Sequence, residues 1–119
     1  MTAHSIFKRV EAITGLCEGS ENAITQARFC RLLESAVDSF TLLAMAQGVK
    51  GLPEGGCVVN DLGSEIPLPE SYENALSLAV AYYLTMKPKI KALCDRETEK
   101  IIASIPGVID GTIEVISSI

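Results

Sequence analysis

The sequence predicts a mainly α fold: a four-helix domain with a β-hairpin-like loop between its second and third helices and an extended arm at its C-terminus. Three observations predict it. Apolar residues return at helical spacing in four stretches, and glycines and prolines crowd into residues 49–69. Beyond a Pro106-Gly107 stop, the last twelve residues are rich in Ile and Val without a helical signal. The helical domain therefore spans residues 1–107, with the loop at 49–68, and residues 108–119 form the arm.

Behind Ser5, the residues Ile6, Phe7, Val10 and Ile13 keep helical spacing, so a first helix runs from about Ser5 to Thr14, with Gly15 near its end. Ser20 is a good N-cap, with Glu21 in the first turn of a much longer helix that Gly48 ends. That helix is expected to run some 27 residues, on the order of 40 Å. Its apolar stripe, from Ile24 through Phe29, Leu33 and Val37 to Phe40 and Ala44, widens toward the C-terminal end. Glu34 and Asp38 on the other side are like-charged and four apart, a face that relies on solvent or a neighbouring chain.

Gly51, Pro53, Gly55, Gly56 and Gly63 exclude a helix from the loop. Cys57-Val58-Val59-Asn60 reads as a short strand that Ile66–Leu68 could pair with. Such a hairpin would project from the body and reach the next protein or a neighbouring subunit. The third helix starts at about Pro69, whose fixed φ suits a first turn, and Glu70 and Glu73 favour the positive end of its dipole. Between Asn74 and Met86 no residue is charged, so this helix needs cover on more than one side. Tyr72, Leu76, Leu78, Tyr82 and Tyr83, with Phe40 from the lower half of the long helix, are accordingly read as a subunit interface. A fourth helix restarts at Pro88. In the arm, Ile109, Ile113, Val115, Ile116 and Ile119 need a covering surface, because a free end in water drifts toward polar composition.

Composition narrows the function. At 119 residues the chain makes one domain, and a mean hydropathy of +0.30 points to an oligomer or a bound partner. No run approaches the ~18 apolar residues of a membrane span. Charges stand where the core of an N-terminal signal would sit, which predicts synthesis in the cytoplasm. The net charge of −5 opposes a grip on nucleic acid, since phosphate affinity rests on cations. The four cysteines, Cys17, Cys30, Cys57 and Cys94, are spaced too widely for a metal knuckle and read as free buried thiols. His4 is the only histidine and lies near a terminus, so no Ser-His or Cys-His pair is in prospect. The glycine run from Gly51 to Gly56 lacks the lysine and the setting of a phosphate loop. Lys87, Lys89 and Lys91 read as a solvated face, as do Asp95, Glu97 and Glu99. No catalytic set, metal or cofactor is expected.

An acidic loop end at Asp61, then Ile66-Pro67-Leu68-Pro69-Glu70, the aromatic Tyr72, Ala75-Leu76 and an Ala/Tyr-rich helix resembles small bacteriophage head-tail connector (adaptor) proteins, the group that includes the podovirus packaged-DNA stabilisation proteins. With the flanking helices, the resemblance covers about Ser20 to Ser104. It implies a virion protein of the neck, forming a homo-oligomeric ring, a dodecamer in that family, between the portal protein and the tail or nozzle. Such a ring helps to retain packaged DNA, which passes through the channel without specific recognition. The resemblance also implies that the C-terminal segment reaches the portal, which makes Ile109, Ile113, Val115, Ile116 and Ile119 portal-docking residues. Two rivals stand beside it: a host-encoded helical protein-interaction module, and a small enzyme using one of the four thiols.

Overall fold

The computed structural model describes residues 1–16, 25–53 and 55–104. They form four α-helices, α1 (Ala3–Thr14), α2 (Gln26–Ala46), α3 (Glu73–Thr85) and α4 (Pro88–Ala103), with a 3₁₀ turn over Glu70–Tyr72 leading into α3. The predicted helical class holds. Thr2, rather than Ser5, caps α1: its hydroxyl accepts the Ser5 N–H at 3.4 Å, and Gly15, left-handed at φ 73°, closes the other end. Thr25 caps α2, accepting the Arg28 N–H at 3.3 Å, and the helix runs 21 residues, about 32 Å instead of 40. The expected cap at Ser20 lies outside the described residues. Pro69 precedes a first turn wound as 3₁₀, and Pro88 stands at the first position of α4, as its missing N–H allows.

The organising element is α3. It packs against α1, α2 and α4, and every residue from Ala75 to Ala81 is buried, including Ser77, whose hydroxyl bonds the Glu73 carbonyl at 2.8 Å. A helix without a polar face is stable only inside, and here the chain's own three other helices supply that inside. This corrects the interface reading at four positions. Tyr72, Leu76 and Phe40 belong to the main core with Phe29, Leu33 and Val80, while Leu78 packs with Ala81 and Ile90 beneath α4. Tyr82 and Tyr83 keep partial exposure.

The hairpin is not formed. Among the described residues there is no strand, only an isolated bridge between Thr2 and Glu65. Asp61 to Ser64 make a tight turn, with the Gly63 N–H on Asp61 Oδ1 at 2.8 Å, but the returning chain pairs with the N-terminal residues. Ile66 N–H donates to the Met1 carbonyl at 3.0 Å, and Ala3 N–H to the Ser64 carbonyl at 2.9 Å. With the Ile66 N–H spent there and no N–H on Pro67, Leu68 N–H is the one donor left in residues 66–68 for a ladder with residues 57–60. Nor does the loop project: Cys57, Val59, Ile66 and Leu68 are all buried in the main core.

Candidate functional site

Two regions bring chemistry together. The first is a clamp on α2. Cys57 N–H donates to Asp38 Oδ1 at 3.0 Å and Val59 N–H to Glu34 Oε2 at 2.8 Å. The match is geometric: residues four apart on a helix lie about 6 Å apart, close to the ~6.6 Å between alternate residues of an extended chain. The like-charged pair is therefore a docking rail for the chain's own loop and not a surface awaiting a neighbour. Gly56, at φ 92°, takes the left-handed backbone that lets the chain enter the clamp beside Asp38. Burial alternates through the segment, Cys57 and Val59 inward and Val58 outward at 67% exposure. Beside it lies a cleft of about 220 Å³ lined by Ala27, Cys30, Arg31 and Glu34 on one wall and Val58 to Asn60 on the other.

The clamp also governs two thiols. Burial pushes Cys57 up, and the Asp38 and Glu34 charges add to it; burial likewise raises Cys30, followed by Glu34 and Asp61. Thiolates are suppressed at both.

The second region is a groove of about 250 Å³ between α2, α3 and α4, floored by Phe40 and Ala79, walled by Tyr82 and Tyr83, and edged by Lys91, Cys94 and Asp95. Lys91 reaches Asp95 one turn on at 3.1 Å, and that hydrogen bond raises its pKa. Glu97 is held below the usual carboxylate range chiefly by its hydrogen bond from Lys100, at 3.0 Å. Asp95 and Glu97 of α4 thus each bind a lysine of their own helix. Cys94 is half-buried, with its thiol pushed up by burial. His4 is exposed. The portal-docking residues Ile109, Ile113, Val115, Ile116 and Ile119 lie outside the described residues, as does Cys17.

A residue with no role assigned from the sequence ties the helix ends together. Gln47 accepts the Tyr72 phenol on Oε1 at 2.6 Å and donates from Nε2 to Ser104 Oγ at 2.6 Å and to the Ile101 carbonyl at 3.3 Å. It joins the ends of α2 and α4 to the start of α3.

Among the described residues, the large apolar side chains left in water sit on two carriers. Leu42 (77%) and Met45 (60%) stand on α2, with Val58 on the segment clamped to it; Met86 (65%), Leu93 (41%) and Ile102 (37%) stand on α4 and the link into it. The helix α3 contacts both carriers. No family model, curated protein or solved structure matches this chain.

Proposed function

We propose that this chain is a structural virion protein, a bacteriophage head-tail connector subunit that closes into a homo-oligomeric ring between portal and tail and helps to retain packaged DNA. The observation that carries the reading is the division of exposed apolar surface into two unlike sets, one on α2 and its loop, one on α4. A two-fold dimer needs one self-complementary patch, whereas a ring of more than two subunits needs two different patches that fit each other. Burying Leu42 or Met45 would contribute roughly 1.5–3 kcal/mol each toward association. The net charge of −5 suits a channel along which DNA slides without being gripped. The portal and tail partners, the twelve-fold ring, the virion neck location and portal docking through residues 108–119 rest on the resemblance of residues 61–84 to connector proteins.

A host-encoded interaction module is the rival, and it would recruit one unrelated partner to one set while leaving the chain itself monomeric. Sedimentation and negative-stain microscopy of the concentrated protein separate the two. A closed ring of uniform subunit number supports the connector, and a monomer at every concentration refutes it.

A further inference from the structure

Two stripes of this chain face away from each other. On α4, Lys89, Leu93 and Arg96 follow at intervals of four and three residues on one side, all exposed, with the exposed Met86 and Lys87 at their head. Leu93 is two residues, or about 200° round the helix, from both Lys91 and Asp95, which line the groove toward α2. On α2, Asp38, Leu42 and Met45 keep the same intervals and are exposed, and Leu42 is likewise about 200° from Phe40 on the groove floor. The groove side of each helix meets its own chain, and the stripes look outward.

The stripes also differ in charge. No acid stands between Asn74 and Cys94, and Lys87 and Lys89 make no ion pair among the described residues. Met86, 65% exposed, closes α3 in the left-handed conformation that Gly15 supplies for α1, so a flexible thioether stands beside the two lysines where glycine would fit with less strain. The α2 side is acidic. Glu34 and Asp38 each spend one oxygen on the loop, and their second oxygens meet no donor among the described residues. Asp61 adds a third carboxylate, since it and Glu34 both bear on Cys30, against the single guanidinium of Arg31. Val58 stands exposed over this flank.

We propose that the basic head of the α4 stripe docks on the acidic flank of α2 in a second copy, the two helices running in the same direction, with Lys89 against Asp38, Leu93 against Leu42 and Met86 against Val58. The equal four-residue steps from Asp38 to Leu42 and from Lys89 to Leu93 bring charge and leucine into register together. The reverse direction would bring Glu97 and Glu99 to Glu34 and Asp38, like against like. This register rests on the head-to-tail ring and gives it a direction.

Carbodiimide cross-linking of the assembled, intact chain, which joins a lysine to a carboxylate in contact with it, tests the register. In an equal mixture of unlabelled and heavy-nitrogen chains, mass spectrometry should find Lys87 or Lys89 joined to Glu34, Asp38 or Asp61 of the other isotope. Lys87→Glu with Lys89→Glu should weaken assembly at least about tenfold while helicity and unfolding midpoint stay native; Arg28→Glu with Lys50→Glu, an equal charge change off the stripe, should not. Rings cross-linked at other sites, or rings indifferent to Lys87 and Lys89, overturn the register and leave the ring standing. A monomer at every concentration overturns both.

Discussion

Glu34 and Asp38 perform two tasks with one pair of charges. Their oxygens accept the two N–H groups that fix the loop, and their charges add to the burial that raises the Cys57 thiol. Replacing both, Glu34→Gln with Asp38→Asn, should loosen the segment and remove the repulsion on a thiolate together. Alkylation of Cys57 in the native protein should then accelerate on the order of tenfold at neutral pH, read by mass spectrometry. An unchanged rate would deny the clamp its role. In the native sequence, no thiol among Cys30, Cys57 and Cys94 should label fast, since burial raises all three; one fast thiol would revive the enzyme rival. The sign for stability follows. A raised folded-state pKa means tighter proton binding when folded, so the thiols cost nothing below about pH 8, and stability falls as pH climbs through the ordinary thiol range and beyond. Gln47→Ala strands the buried Tyr72 hydroxyl and should cost on the order of 2 kcal/mol in denaturant unfolding. Buried free thiols were legible in the sequence, but the clamp and the Gln47 bridge were not. Two acids four apart look like a solvated face unless an extended segment is known to cross them at matching spacing, and a glutamine at a helix end has no pattern to mark it.

At the scale of elements, the helices were legible because their signals are local. Apolar spacing placed α1, α3 and α4, Gly15 and Gly48 marked ends, and Pro88 marked a start to the residue. The loop was not, because strand pairing is a long-range choice: Ile66 could bond residues 57–60 or the N-terminus, and only the folded body decides. The apolar circumference of α3 was read correctly as needing cover, yet the source of that cover cannot be told from one helix. Its consequence is measurable. Leu78→Glu places a charge between Ala81 and Ile90 and should destabilise the monomer by on the order of 4 kcal/mol, seen as lost helicity and an earlier unfolding midpoint. A variant with native stability would return Leu78 to the surface. Thr25→Ala, by contrast, removes one cap and should cost only about 1 kcal/mol.

For the whole molecule, the central claim is that two unlike apolar sets, on α2 with its loop and on α4, meet head to tail in a ring. Leu42 and Leu93 are exposed, so a charge at either leaves the fold intact. The most direct measurement is a mixing experiment with the single variants Leu42→Glu and Leu93→Glu, followed by mass measurement in solution. Head-to-tail closure predicts that each variant alone is monomeric, because every contact needs both sets. It also predicts that an equal mixture forms a one-to-one dimer and stops there, since the two intact sets find each other once and the two damaged ones cannot. Rings from either variant alone, or a mixture that stays monomeric while the native chain forms rings, would contradict the claim.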